Sequence, residues 1–552
     1  MPVGRVLALV MLSKLLLAGD GATHSDWPSY GGTYAAWRHS ALKQIDTGNV
    51  ANLAPAWVFQ TGDYENGLQA TPIVVDGVVY LSTSSSWAFA LDGATGRLIW
   101  EYHYTFPGDV RALAYGKQNR GVAVAHGLVF LGTPDNHLIA LDQKTGAEVW
   151  KVNIEDWRQC GCNTTGAPLA IKDIVIAGVT GGDSAHRGYL TAFDAKTGRL
   201  RWRFYTIPGP GEAGHETWKG ETWKFGGGST WMTGSFDPEL NLLYWGVGNA
   251  SSDLNGSNRK GDNLYTASIV ALDPDTGKLK WHFQEVPYDV WDFDAAFEQI
   301  LVDLPFGGRT RKVMLHPTKG GYIWMLDRVT GEFLKAWPFS KNINWVAGIT
   351  ETGKLAGRVE PEVGKSKLIC PSVVGAKNWN QGAYSPNTGM LYLPVQELCN
   401  DLVARDEEVA EGSPFTGGNW FMKPPPGGKV EGYIAAFDAA TGQRKWSVPV
   451  TTWIMASILT TDGGLVFTGD PEGNFFALDA RTGARLWSFQ TGGGHRGSAI
   501  SYSIGGRQYI ATPTGWGSLV GGAHKGLFPD APAARPGSAL FVFKLPESVG
   551  VK

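Results

Sequence analysis

Short apolar runs alternate with turn-forming clusters along most of the chain, and one unit recurs: an apolar residue, Asp, two variable residues, Thr-Gly, three variable residues, then Trp. It occupies Leu91 to Trp100, Leu141 to Trp150, Phe193 to Trp202, Leu272 to Trp281, Phe437 to Trp446 and Leu478 to Trp487. A looser copy runs from Leu326 through Thr330-Gly331 to Trp337, and Trp57 resembles a unit's end without its start. The pattern predicts a strand ending at the Asp, a turn in which the glycine takes a positive φ, and a returning strand that delivers the Trp. A lone hairpin cannot bury its own Trp, whereas copies set side by side can. Over many copies, the arrangement that leaves no exposed sheet edge is a ring of blades. Eight Trp-terminated units predict an all-β, eight-bladed propeller forming one domain over residues 23–552.

The units are unevenly spaced. The intervals Trp202–Trp281 and Trp337–Trp446 are longer than Trp150–Trp202, which places insertions there, where functional loops usually sit. Val403 to Lys429 carries charges and then Pro424-Pro425-Pro426-Gly427-Gly428, and reads as a long surface loop inside the domain.

Composition agrees with this picture. The 74 glycines and 23 tryptophans of the 552 residues suit many tight turns joined to strands that each need a large apolar plug. A hydrophobic fraction of 43% permits a large core, and a net charge of -3 calls for no strongly charged partner, so nucleic acid is not expected. Arg5, the apolar Val6 to Leu12 and Leu15 to Ala18, and the small residues up to Ala22 read as a signal peptide over residues 1–22. A signal anchor interrupted by Lys14 is the alternative. No later stretch has the ~18 apolar residues of a membrane span. Cys160, Cys162, Cys370 and Cys399 fit disulfides in an oxidising compartment, with free buried thiols the alternative. With no Cys-x-x-Cys-His for covalent haem, electrons must leave through a separate carrier.

Several polar residues remain once the repeat is explained. In Asp289-Val290-Trp291-Asp292-Phe293-Asp294, a strand would put Asp292 and Asp294 on one face and Asp289 on the other. Two carboxylates on one buried face call for a cation or proton between them. Gly246-Val247-Gly248-Asn249 ends an apolar strand with an amide that offers a hard oxygen ligand. Thr180-Gly181-Gly182-Asp183 offers a hydroxyl, two unhindered amides and a carboxylate, although Gly-Gly-Asp and a strand-end Asn are also ordinary turn signals. Trp231, after Gly226-Gly227-Gly228, falls outside the repeat register and offers a flat face to a planar ring.

With these residues in view, the chain resembles the pyrroloquinoline-quinone-dependent alcohol dehydrogenases, methanol dehydrogenase large subunits among them, from Trp27 to Lys544. The motifs occur in the family's order: Asn119-Arg120-Gly121-Val122-Ala123, Thr165-Gly166-Ala167-Pro168, Arg187-Gly188-Tyr189, Gly246 to Asn249, Trp291-Asp292-Phe293, His316-Pro317 to Asp327-Arg328, and Gly505 to Tyr509. The resemblance assigns quinone contacts to Arg120, Thr165, Thr180, Gly181, Gly182, Lys319 and Asn378, with Trp231 beneath the ring. It assigns metal ligation to Asp183, Asn249 and Asp292, the catalytic base to Asp292, and a disulfide to Cys370 and Cys399. Four departures stand out. Asp183 replaces a usual Glu, and Gln69 replaces a glutamate near the quinone. The region of the family's adjacent cysteines reads Arg111-Ala112-Leu113-Ala114-Tyr115, and a late family Trp aligns with Met455, two residues from Trp453. Asp294 is what the lanthanide-dependent branch carries, so a fourth metal ligand there favours a lanthanide(III) over calcium.

The resemblance implies a periplasmic enzyme that oxidises a small alcohol to an aldehyde. Asp292 takes the hydroxyl proton, hydride passes to the metal-bound quinone, Lys319 stabilises the developing oxyanion, and a soluble cytochrome c or similar carrier accepts the electrons. A homodimer is the assembly kept in view. The competing readings are a propeller scaffold without catalysis and a quinoprotein acting on sugars or polyols.

Overall fold

The computed structural model describes residues 26–109, 116–517 and 519–546. The expected signal peptide and the segment Arg111 to Tyr115 lie outside these residues. Among the described residues the chain is built from eight antiparallel four-stranded sheets, one of which gains a fifth, parallel strand from His39–Ser40. Two short α-helical turns of chain, Trp157–Cys160 and Leu519–Leu527, are the α-helices.

The repeat behaves as its residue types require. In the first copy, Asp92 Oδ1 accepts hydrogen bonds from the Thr95 backbone N at 3.0 Å and the Thr95 hydroxyl at 2.8 Å, and Gly96 N donates to Asp92 O at 2.8 Å. Gly96 sits at φ +74°. Its missing side chain has a second purpose: a Cβ there would come within 2.6 Å of the Trp57 ring. Gly146 faces Trp100, Gly277 faces Trp202 and Gly331 faces Trp281 in the same way. These Trp rings therefore lie against the turns of other sheets, and several repeat tryptophans are pinned by the indole N–H. Trp100 donates to Gln143 O at 3.0 Å, Trp150 to Ala195 O at 3.1 Å and Trp202 to Pro274 O at 2.8 Å.

Trp57 finds its missing unit start at the other end of the chain. Its strand, Ala54–Gln60, pairs antiparallel with Ala539–Lys544, so the two ends of the chain share one sheet. Trp487 Nε1 donates to Leu53 O at 3.0 Å and links the preceding sheet to it.

Two sequence expectations are corrected. Residues 289–294 are a loop between the strands Leu279–Gln284 and Ile300–Phe306 and not a strand. Asp292 at φ +60° breaks the extended alternation, and Asp289 folds back to accept from the Trp291 and Phe293 backbone N–H groups at 3.0 and 2.9 Å. The stretch Val403 to Lys429 is not loop throughout. Gly418–Lys423 is a strand paired with Cys399–Ala404, and with Ser366–Ile369 it makes a separate three-stranded sheet.

Candidate active site

In each sheet the first two strands run antiparallel, so the chain entering the first strand and the chain leaving the second lie at the same end. The functional candidates all fall in these two kinds of segment. Arg120 precedes Ala123–Ala125, Thr165 precedes Leu169–Ile171 and Trp231 precedes Ser235–Asp237. Asp292 and Asp294 precede Ile300–Phe306, and Asn378 precedes Ala383–Ser385. Thr180 to Asp183 follow Ile174–Gly178, Asn249 follows Leu242–Val247 and Lys319 follows Arg309–Pro317.

They converge on one cavity of about 410 Å³, lined by every residue expected at the site except Gln69. Gln69 is fully buried and precedes Ile73–Val75, but it is not among the lining residues, and its amide Nε2 and Oε1 find no hydrogen-bond partner among the described residues. Met455 and Trp453 are also away from the wall, packed with Leu398 and Trp516.

One side of the cavity is acidic. Lys319 Nζ stands 3.0 Å from Asp292 Oδ2 and 2.8 Å from Asp294 Oδ2, and donates to Asp292 O at 2.8 Å. Asp294 Oδ1 accepts from the Asn249 backbone N at 3.1 Å and from Trp231 Nε1 at 3.3 Å. Asn249 Nδ2 donates to Asp183 Oδ1 at 3.1 Å. Two glycines make this density possible: a Cβ on Gly182 would overlap Asn249 Oδ1, and one on Gly248 would overlap Asp294 Oδ1. Burial raises the Asp292 carboxyl well above the ordinary aspartate range, Asp183 and Asp294 add to the rise, and Lys319 opposes it. Burial pulls the Lys319 ammonium down, but Asp292 and Asp294 outweigh it and hold the group above its ordinary value.

The wall beyond Trp231 is cationic and aromatic. Arg120 is 4% exposed and its guanidinium lies between two indoles, 5.0 Å from the Trp231 ring centre and 4.9 Å from that of Trp379. Its hydrogen bonds go to neutral partners, Thr165 Oγ1 at 2.7 Å and Gln118 Oε1 at 3.1 Å. Burial lowers it to about 10. Arg496, also on the wall, is lowered to about 9 by burial and then by Arg120. Val373, Val374, Trp420 and Met422 give the cavity an apolar portion. Behind the wall, Thr180 Oγ1 donates to Asn163 Oδ1, and Asn163 follows a Cys160–Cys162 disulfide. Cys370 and Cys399 form the other disulfide.

An oxygen-rich donor set packed against glycines, in one cavity with buried arginines and indoles, suits an anionic planar molecule bound beside a hard cation. Residues 27–342 match the family described as glucose/ethanol/alcohol dehydrogenase, beta-propeller domain, and residues 373–521 match that of outer membrane protein assembly factor BamB. The quinohemoprotein alcohol dehydrogenase of Comamonas testosteroni is 39% identical over 92% of this chain and 75% of its own length. The chain is a pyrroloquinoline-quinone-dependent alcohol dehydrogenase.

Quinoprotein alcohol dehydrogenase PedH of Pseudomonas putida is 36% identical to it over 93% of this chain and 90% of its own length. A europium-containing methanol dehydrogenase superposes with a TM-score of 0.89 at 34% identity, covering 95% of this chain and 98% of that one. This quinoprotein is thus an oxidoreductase of all-β, propeller type.

Sequence reasoning missed Trp379, Arg496 and Asp253. Trp379 adjoins Asn378, and Arg496 ends the glycine run Gly492-Gly493-Gly494-His495, the same glycine signal that marked Thr180 to Asp183. Asp253 stands four residues after Asn249 and accepts from its Nδ2 at 2.9 Å.

Proposed function

We propose that this quinoprotein oxidises a small alcohol to its aldehyde with pyrroloquinoline quinone and one hard cation bound in the cavity, and passes the electrons to a soluble cytochrome c. The observation that carries this reading is the meeting in one cavity of the Lys319–Asp292–Asp294 cluster and the Arg120 guanidinium between Trp231 and Trp379. The donor set fits both groups. Arg120, with neutral hydrogen-bond partners and a buried Nε that has no partner among the described residues, and Arg496 beside it favour the carboxylates of the quinone. Asp183, Asn249, Asp292 and Asp294 offer the all-oxygen ligands that a calcium or lanthanide ion takes.

When bound, the quinone supplies the two-electron acceptor and the cation a Lewis acid. The protein's part is position and proton management. Trp231, Thr165, Thr180, Gly181, Gly182 and Asn378 line the cavity and would hold the quinone, with the Trp231 indole offering its face to the ring. Asp292 accepts the alcohol's hydroxyl proton on its carboxylate, and Lys319 opposes the effect of burial on that carboxylate and stabilises negative charge as it develops. Val373, Val374, Trp420 and Met422 shed water and favour an alcohol with an apolar body over a polyol.

The eight sheets are read as eight blades of one ring, stapled by the tryptophans and closed where Ala54–Gln60 joins Ala539–Lys544. The two disulfides support a periplasmic location. Asp294, adding a carboxylate to the ligand set, favours a lanthanide(III) over calcium. The test is dye-linked alcohol oxidation by the purified protein reconstituted with the quinone and either lanthanum or calcium, for the wild type and Asp294→Ala. Activity with lanthanum that is lost in the variant is the expected result. Failure to bind the quinone with either metal would overturn the reading.

A further inference from the structure

Glu298 and Lys377 form an ion pair that lies off the cavity wall. Glu298 Oε2 is 2.8 Å from Lys377 Nζ, and both side chains are fully buried. Glu298 follows Asp292 and Asp294 on the segment entering Ile300–Phe306, and Lys377 precedes Asn378 and Trp379 on the segment entering Ala383–Ser385. The pair therefore joins two segments that each carry lining residues.

Its grip is at two points. Glu298 Oε1 accepts from the Gly382 backbone N at 2.8 Å, while Oε2 faces the ammonium, which also donates to Asn378 O at 2.9 Å. One carboxylate thus holds residues 377 and 382, and the lining residues Asn378 and Trp379 stand between them. In the same stretch Asn380 Nδ2 donates to Ile454 O and Gln381 N to Ser457 Oγ, each at 2.9 Å, which anchors it to the segment entering Leu459–Thr461. Phe297, beside Glu298, meets Trp231 edge to face with ring centres 5.9 Å apart, and Lys377 Nζ lies 4.9 Å over its ring. The two indoles that enclose Arg120 are therefore both supported from here, Trp231 through Phe297 and Trp379 through the held stretch.

Charge alone does not account for the pair. Arg38 also lies within electrostatic reach of Glu298, but its guanidinium is hydrogen-bonded to Tyr30 O, Ile458 O, Ala499 O and Gln381 Oε1. A buried ion pair adds little stability over apolar side chains that fill the same space, because both charges give up their water. A grip at two points is what apolar side chains would not reproduce.

We infer that Glu298 is a positioning residue for the quinone: its carboxylate clamps residues 377–382 and, with Lys377 and Phe297, fixes the separation of Trp231 and Trp379 around Arg120. The inference rests on the quinone site of the proposed function and names a residue outside the cavity lining.

The test separates position from stability. Glu298→Asp keeps the charge but shortens the stem, so the carboxylate cannot hold both ends of the stretch. Glu298→Gln combined with Lys377→Met removes both charges and leaves neither unpaired. The full-length protein, with lanthanum and separately with calcium, is titrated with pyrroloquinoline quinone. Quinone affinity, the absorption band of the bound quinone and the melting temperature are read. Both variants are expected to bind the quinone about ten-fold more weakly and with a shifted band, while the double variant melts close to the wild type. Wild-type affinity and band in either folded variant would overturn the inference, even if its melting temperature fell. A wild-type protein that does not bind the quinone overturns the quinone site itself, an outcome distinct from the first.

Discussion

Asp292 holds a backbone conformation that side chains other than glycine rarely adopt, φ +60°, in a loop where Asp289 caps the neighbouring N–H groups. Such a conformation persists only where its surroundings enforce it, and it turns the carboxylate to Lys319. At this scale the sequence was informative about residue types and wrong about local shape. The pairing of Asp292 with Asp294 was expected from strand alternation, whereas the structure achieves it through a loop and a shared lysine. Asp253 and Arg496 stayed hidden because their meaning depends on which side chains fold against them. A nearby residue predicts a pH effect. Burial holds the His495 imidazole down at about 4, against 6.5 when exposed. Between those values the unfolded chain binds the proton and the folded chain does not, so this contribution to stability is lost as pH falls from 6.5 toward 4, by roughly 3 kcal/mol in all. His495→Gln should flatten the fall of the melting temperature across that window, and a slope equal to that of the wild type would contradict the assignment.

The repeated turn is the element whose design was most legible, because Asp, Thr and Gly each act within a few residues of themselves. What the repeat did not reveal is that its glycine also makes room for the Trp of the preceding sheet. A Cβ on Gly277 would lie 2.7 Å from the Trp202 ring at φ +69°. Gly277→Ala should therefore cost about 2–4 kcal/mol, combining a strained backbone with overpacking, and Trp202→Ala about 3–5 kcal/mol through the cavity it leaves. Chemical denaturation measures both; a Gly277→Ala change below 1 kcal/mol would show that the Trp yields easily. The strand Gly418–Lys423 was unreadable because charges and prolines surround it and its partner strands, Cys399–Ala404 and Ser366–Ile369, belong to an insertion outside the repeat. It carries Trp420 and Met422 to the cavity. Trp420→Ala is expected to raise KM for alcohols with an apolar body with a smaller change in kcat, since it lines the cavity and, among the described residues, forms no hydrogen bond or ion pair with Asp292 or Lys319.

At the scale of the whole molecule, Trp57 resembled a unit's end without its start, and the structure supplies its partner strand from the other end of the chain. Its sheet is completed by Ala539–Lys544, so a chain lacking residues 539–552 would leave Ala54–Gln60 without its partner and should lose its cooperative melting transition. A truncated protein that melts as the wild type does would refute the closure. The same topology puts the chain entering the first strand and the chain leaving the second at one end of every sheet, which is why residues scattered from Arg120 to Arg496 meet in one cavity. The most direct test of the account is the dye-linked turnover of a primary alcohol by the full-length protein loaded with pyrroloquinoline quinone and lanthanum, for the wild type and Asp292→Asn. The account predicts turnover in the wild type and a loss of about 10²–10⁴-fold in the variant with the quinone still bound. An Asp292→Asn protein that turns over at the wild-type rate would contradict it.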